Sequence, residues 1–336
     1  MKKANENTNE NTNENTPAHA KNPVDQAEVH AVFGTGGLGL SLAEVLSRQG
    51  KKVRLINRSG QLPSGCFNPE WEIVNADASN PKAAAEACKG AAVVYHCMGL
   101  PYSEWKEHMP GMMAGLIEGA AQADAKLIYG DNLYAYGPVS GKLHEELPYR
   151  PVGEKTEVRA NVAKQLMEAH SSGKVRAAIG RGADFYGPLV AMASLGADVF
   201  RHAGTGKPVP LLGSPDHLHT YIYIKDFARG LAILGEQEAA IGQVWHIPSA
   251  ETVTTRQLVE LIGEEAGGSP MRYRVAGRGM VRFLSLFSSM MKELKEMLYL
   301  FEQPFIVDHS KFEHAFGAVV TPHREAVRET LRWIRA

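Results

Sequence analysis

Three glycines in the stretch "VFGTGGLGLSL" have the types and spacing to do specific chemistry. Gly34-x-Gly36-x-x-Gly39 follows the apolar run "VHAVF" and opens a segment with Leu and Val at helical spacing. Gly34 permits a tight turn, and Gly36 lets the backbone approach a pyrophosphate lying at a helix N-terminus. Gly39 lets helix and strand pack closely. With Thr35, Gly37 and Leu38 between them, these residues form a candidate dinucleotide cradle. The bland alternative is a merely flexible turn, but a strand before it and a helix after it give the spacing its meaning.

The next strand-like run ends about 20 residues further on, where an NAD site usually carries an acid for the ribose 2′-hydroxyl. This chain has Asn57 and then Arg58. A carboxylate would repel a 2′-phosphate, whereas a guanidinium grips one with paired, charge-assisted hydrogen bonds. NADP(H) is therefore expected in preference to NAD(H), with Arg58 as a solvated strand-end charge the competing reading. Asp77, followed by Ala78 in "NADAS", is read either as a contact to the adenine amino group or as a helix cap before Pro81. Cys97, Met98 and Gly99 in "YHCMG" end a fourth strand at the same edge and are expected to line the cofactor trough. His96 is read as a satisfied structural histidine.

The elements that must position these residues alternate regularly. "VHAVF", "KKVRLINRS", "EWEIVNAD", "AAVVYHCMG", "KLIYGDN" and "KVRAAIGRG" read as strands. "LSLAEVLSRQG", "NPKAAAEACKG", "MPGMMAGLIEGAAQADA" and "KTEVRANVAKQLMEAHSSG" read as helices. Near-continuous apolar strands in βαβ order predict an α/β protein: a Rossmann-like, doubly wound parallel sheet with helices on both faces. The expected NAD(P)-binding domain spans 29–185. A smaller, mainly substrate-binding lobe spans 186–336 and returns segments to the core. There, "YIYIKDFARGLAILGE" reads as a strand entering a helix, and "QVWHIPSAETVTTRQLVELIGEEAG" as a strand, a loop and a helix opened by Thr254 or Thr255. The tail 1–28 contains Asn-Glu-Asn-Thr three times over, buries nothing and is expected to be disordered.

Bulk composition excludes several classes. The 336-residue chain carries 36 basic and 37 acidic residues, a net charge of −1. Such a balance gives no overall field toward nucleic acid or anionic lipid, which leaves room only for a local basic patch. A small molecule is the expected partner, with neither nucleic acid nor membrane. No apolar run approaches the roughly 20 residues a bilayer span needs. Three cysteines, Cys66, Cys88 and Cys97, are too few and too irregular for a disulfide framework, and suit a reducing, cytoplasmic setting. His217 and His219 alternate in "DHLHTY" without the further ligands zinc requires, so no metal is expected. The Met- and aromatic-rich "MVRFLSLFSSMMKELKEMLYLFEQPF" reads as helix packing, or as an adaptable wall over a bulky apolar ligand.

With those residues in place, the chain resembles the extended short-chain dehydrogenases/reductases of the NAD-dependent epimerase/dehydratase type, from about Val29 to the end. The resemblance rests on the glycine turn, "NAD", "LIYGDNLYAYGP", "RGADFYGP", "YIYIKDFARGLA" and the late "DHSKFEHAFG…TPHREAVRETLRWI". It implies a Ser or Thr at the end of the fifth strand and a Tyr-x-x-x-Lys on the next helix, with the lysine orienting the nicotinamide ribose and the tyrosine passing a proton. This sequence departs from that set. Asp131 and Asn132 occupy the serine region; Arg159 falls in the lysine place and Lys155 in the tyrosine place. A register shifted by one turn puts Lys155 for the lysine and Pro151 for the tyrosine. Asp131 is taken as a cofactor contact, and Asn132, Tyr134, Lys155 and Arg159 as the catalytic candidates. Lys155 and Arg159 share a face at i, i+4. Either that face meets the ribose or a substrate oxyanion, or it is solvated. The proton donor stays open among Tyr134, Tyr136, Tyr149, Tyr186 and a Lys155 whose pKa burial would lower. The expected function is an NADP(H)-dependent oxidoreductase acting on a small apolar metabolite, by carbonyl reduction or by epimerisation or dehydration through transient oxidation. The alternatives are a catalytically degenerate NAD(P)-binding redox sensor, and an enzyme that uses the nucleotide only structurally, with Asp131 or Lys155 doing acid–base work. By analogy with the fold, two helices flanking the central strands would form a homodimer.

Overall fold

Seven strands run parallel, the inner ones apolar runs buried on both faces and the third in chain order an exposed edge: β1 (Val29–Phe33), β2 (Lys52–Asn57), β3 (Glu72–Asn75), β4 (Ala91–His96), β5 (Lys126–Asp131), β6 (Arg176–Arg181) and β7 (Val244–His246). The computed structural model describes residues 28–336 apart from 192, 204, 269, 270 and 319. The Asn-Glu-Asn-Thr tail and its expected disorder therefore lie outside the described residues, except Glu28. The strand order is β3-β2-β1-β4-β5-β6-β7. It reverses between β1 and β4, and that switch point is where open α/β sheets form a crevice. Register levels the strand ends: Phe33 pairs with Ile56 on one side and His96 on the other, and Asp131 pairs with Arg181. Gly34, Asn57, Cys97 and Asn132 thus leave the sheet at one edge.

The helices are α1 (Gly37–Arg48), α2 (Pro81–Cys88), α3 (Trp105–Gln122), α4 (Glu154–Ser171), α5 (Ala197–His202), α6 (Ile224–Glu236), α7 (Thr255–Glu265), α8 (Arg278–Leu284), α9 (Ser289–Met297), α10 (Ser310–Phe316) and α11 (His323–Arg335). Leu40, Leu42 and Leu46 of α1 join Phe227 and Leu231 of α6 over one face of the sheet. Met113, Leu116, Val162 and Leu166, from α3 and α4, cover the other with α2. Where α2 and α7 begin is decided by local chemistry. The Asn80 side chain accepts from Lys82 N and Ala83 N ahead of Pro81, and Thr254 makes a reciprocal capping box with Gln257. None of the described helices is long and apolar enough to cross a membrane.

One boundary differs from expectation. Helix α3 begins at Trp105, so Pro110 lies inside it with its ring exposed. Proline deletes one helical hydrogen bond. Burial of Trp105 and Met109 on the turn before it holds that turn helical nonetheless.

A third apolar cluster joins Val199 and Phe200 of α5 with Leu258 and Ile262 of α7 and Val327 and Leu331 of α11. The parallel strand pair Asp184–Tyr186 and Tyr221–Tyr223 links this cluster to the C-terminal edge of the sheet.

Candidate functional site

At the end of β1 the three glycines have distinct physical roles. Gly34 takes φ 108°, and a Cβ there would lie 2.8 Å from the Cys97 carbonyl, so no other residue fits the turn. A Cβ on Gly39 would lie 1.8 Å from the Gly34 oxygen, which locks helix against turn. Gly36 is exposed, and a Cβ on it would meet nothing within 4 Å among the described residues. It is also the N-cap of α1, with no side chain capping the helix and no acid in the first turn. The free N–H groups and positive end of α1 therefore face an open approach, which fits a pyrophosphate. Gly37 packs under the Pro188 carbonyl, and Leu38 lies beside Gly130 at the end of β5.

At the end of β2, Asn57 organises the loop. Its Nδ2 donates to Thr35 Oγ1 (2.9 Å) and Gln61 O (2.7 Å), and its Oδ1 accepts from the Ser59 and Gly60 backbones. Arg58 is exposed and makes no ion pair among the described residues. The Asp77 carboxylate accepts from Ser79 N (2.8 Å) and Oγ (2.7 Å), and these bonds, with Arg58 nearby, hold its pKa below the ordinary aspartate value. Since Asn80 is the cap of α2, the capping role considered for Asp77 is corrected. Ala78 is buried, its carbonyl directly under Gly115 of α3. Cys97 is also buried, which pushes its thiol pKa up and leaves it protonated; Met98 is half-buried and Gly99 exposed.

Beyond the trough, the geometry departs from expectation. The Asp131 side chain is inaccessible, and its two oxygens are taken by Arg159 Nη1 (3.1 Å) and Arg181 Nε (3.2 Å). Arg159 also donates to the Tyr129 hydroxyl (2.7 Å) and lies 4.1 Å over the Trp105 ring. Arg181 donates to the Tyr149 hydroxyl (2.7 Å) and sits against the Tyr136 and Tyr149 rings. Two guanidiniums on one carboxylate leave an excess positive charge indoors, distributed over aromatic faces. The direct nucleotide contact expected of the Asp131 carboxylate is thus corrected: its acceptor sites already serve two arginines.

Lys155 and Arg159 do share one face of α4, and both are buried, so the solvated reading fails. The Lys155 ammonium does not point to a vacant oxyanion position. It contacts Glu293 and, at 3.4 Å, Glu154, while Glu296 accepts from Lys155 N at 2.6 Å. Burial opposes the charge, but the contacts with Glu293 outweigh it and hold the pKa above the ordinary lysine value. These carboxylates stabilise the ammonium, the opposite of the lowered pKa that a Lys155 acid would need.

Asn132, where the resemblance implies a serine, is buried and accepts from Tyr134 N (3.1 Å). The half-buried Tyr134 hydroxyl meets that of Tyr102 at 3.3 Å, and burial raises the pKa of both. Tyr136 and Tyr186 are bound to His246 and His323, inside the packed core. His96 is not fully satisfied: its Nδ1 accepts from Met98 N, its Nε2 has no partner among the described residues, and burial with Arg159 pushes its pKa down to about 3. His219 pairs with Asp184 (3.0 Å) and stacks on Phe301 and Phe305. No group of three metal-type ligands exists among the described residues. Sequence reasoning missed Tyr102, Trp105, Tyr129, Arg181, Asp184, Glu293 and Glu296. Only Arg181 had a sequence signal, as a charge closing an apolar strand; the others come together through tertiary contacts alone.

Residues 32–247 match the model of the "NAD dependent epimerase/dehydratase family". The match spans most of the chain, which therefore belongs to that family and is an oxidoreductase/epimerase-type enzyme of the short-chain dehydrogenase/reductase class. No curated protein matches the sequence. Among solved structures, the chain is similar to a UDP-glucose 4-epimerase from Thermotoga maritima with UDP-glucose, at 17% identity and TM-score 0.74, covering 91% of this chain and 98% of that one. It is also similar to the UDP-glucose 4-epimerase of Thermus thermophilus in complex with NAD, at 18% identity and TM-score 0.72, covering 92% and 99%. A dTDP-glucose 4,6-dehydratase from Bacillus anthracis in complex with NAD gives 14% identity and TM-score 0.72, covering 92% and 97%. At these identities the likeness is one of fold.

Proposed function

We propose that the protein is an NADP(H)-dependent oxidoreductase acting on a small, apolar metabolite with a non-standard catalytic set. One observation carries the cofactor choice: an exposed guanidinium, Arg58, stands at the end of β2 beside an amide, Asn57, with no carboxylate at the position where one would repel a 2′-phosphate. The α1 N-terminus at Gly36 would take the pyrophosphate, Asp77 and Ala78 would flank the adenine, and Cys97, Met98 and Gly99 would floor the trough. Bound there, the nicotinamide supplies the hydride donor or acceptor. Asn132 would hold the substrate oxygen. Arg159, in the lysine place, cannot give up a proton. The Tyr102–Tyr134 hydroxyl pair is the proton source that the geometry favours. The half-buried aromatics Tyr102, Tyr134 and Tyr299 support an apolar substrate. The reaction would be carbonyl reduction, or epimerisation or dehydration through transient oxidation. Three free cysteines support a reducing, cytoplasmic setting, and a homodimer is the assembly proposed by analogy with the fold.

The engagement of Arg159 by Asp131 favours a second reading, a nucleotide-binding redox sensor without hydride chemistry. Both readings require the nucleotide. Fluorescence titration with NADPH and NADH tests this directly. Arg58→Ala is expected to weaken NADPH about 10- to 100-fold, the loss of a charge-assisted pair, and to leave NADH unchanged. Equal effects on both nucleotides would refute the NADP(H) assignment. Turnover of NADPH with a panel of apolar carbonyls then separates enzyme from sensor.

A further inference from the structure

The whole-chain charge is balanced, yet one segment is not. Residues 266–292 hold Arg272, Arg274, Arg278, Arg282 and Lys292 with no Asp or Glu. The same segment carries most of the misplaced apolar surface. Of the nine large apolar side chains exposed among the described residues, six lie at 275–287: Val275, Met280, Phe283, Leu284, Leu286 and Phe287. Helix α8 and the turn before α9 form a knuckle. Val281 is fully buried and anchors it, while Phe283 (62% exposed), Leu286 (74%) and Phe287 (77%) project from it. Phe283 and Phe287 meet edge to face at 5.5 Å, so they form one aromatic tip. Arg278 is paired with Glu302, whereas Arg272, Arg274, Arg282 and Lys292 make no ion pair among the described residues.

We propose that this knuckle docks the protein on an anionic lipid surface, with Phe283, Leu286 and Phe287 entering the headgroup boundary and the surrounding Arg and Lys residues facing lipid phosphates. Aromatic and leucine side chains flanked by uncompensated basic residues are the composition of an interfacial anchor. A second copy of the chain fits less well. A two-fold contact sets the same patch against itself, and here it would oppose Arg272, Arg274, Arg282 and Lys292 to their own copies, none of which has an acid paired to it among the described residues. The anchor leads directly into the site: α9, next in the chain, provides the Glu293 and Glu296 that hold Lys155 and the start of α4. The inference does not depend on the cofactor assignment.

The test is co-sedimentation of the full-length protein with vesicles of phosphatidylcholine alone and of equimolar phosphatidylcholine and phosphatidylglycerol. Binding to the anionic vesicles at about 0.1 M salt is expected, falling sharply at about 0.5 M and with phosphatidylcholine alone. Phe283→Ala/Leu286→Ala/Phe287→Ala is expected to lower the partition coefficient about tenfold or more, and Arg274→Ala/Arg282→Ala to remove most of the preference for anionic lipid. All five side chains are exposed, so unchanged melting temperatures keep folding out of the readout. Wild-type protein that stays in the supernatant with anionic vesicles would overturn the proposal. So would an apolar triple variant that binds like wild type, or a wild-type dimer that the triple variant converts to monomer.

Discussion

Replacing Asp131 by asparagine tests whether the buried charge cluster is a structural lock or a cofactor contact. The carboxylate accepts from two guanidiniums that have almost no access to water. Asparagine keeps one acceptor oxygen, turns a donor toward the other guanidinium and carries no charge, so both arginines lose their counter-charge. Removing one partner of a buried ion pair costs about 3–5 kcal/mol. The remaining bonds to Tyr129 and Tyr149, and the Trp105, Tyr136 and Tyr149 faces, keep the loss from doubling. At about 2 °C per kcal/mol for a chain of this size, the melting temperature should fall by about 6–10 °C. A double-mutant cycle with Arg181→Met should show coupling of about 2 kcal/mol, because the second change removes one of the two charges left unpaired by the first. The assay is thermal unfolding by circular dichroism beside nucleotide titration. An Asp131→Asn variant that melts within about 1.5 °C of wild type but loses nucleotide binding would refute the lock and restore the cofactor contact.

Two further outcomes are expected. Gly36→Ala should melt like wild type, because its Cβ meets nothing, yet bind nucleotide about tenfold or more weakly, because that Cβ occupies the pyrophosphate approach; Gly39→Ala should cost about 3 kcal/mol of stability through overlap with the Gly34 oxygen. If denaturation midpoints and titrations gave both variants the same profile, the roles assigned to these glycines would fail. Burial pushes three histidines down, His30 to about 4 and His96 and His246 to about 3, so each stays neutral in the fold while the unfolded chain protonates near 6.5. Stability is therefore full above pH 6.5 and falls below it, by about 1 kcal/mol per histidine between pH 6.5 and 5.5, and His246→Gln should reduce that dependence by about a third. Urea midpoints across that range that do not move with pH would contradict this.

The nucleotide half of the site was legible because its signals are local. A strand, a glycine turn and a helix follow one another without interruption from Val29 to Arg48, and each glycine's role follows from covalent geometry and the chain immediately around it. Strand and helix positions followed from the period of apolar residues; of the two threonines that could open α7, the capping box settles on Thr254. The start of α3 was read four residues late, at Met109, because the turn before Pro110 is held helical by burial of Trp105, a tertiary effect. The catalytic half was less legible. Lys155 and Arg159 could be placed on one helix face, but their protonation depends on what faces them from β5, β6 and α9.

The sequence by itself determined the sheet, the glycine cradle and the basic pair on α4, because periodicity, turn chemistry and helical spacing act within a few residues. Only the tertiary structure decided what those charges do. Asp131 reaches Arg159 and Arg181 across 28 and 50 residues, and Glu296 reaches Lys155 across 141. Whether a buried cation is an acid, an anchor or a lock depends on the counter-charges that distant elements bring within hydrogen-bonding range, and no spacing rule along the chain encodes them.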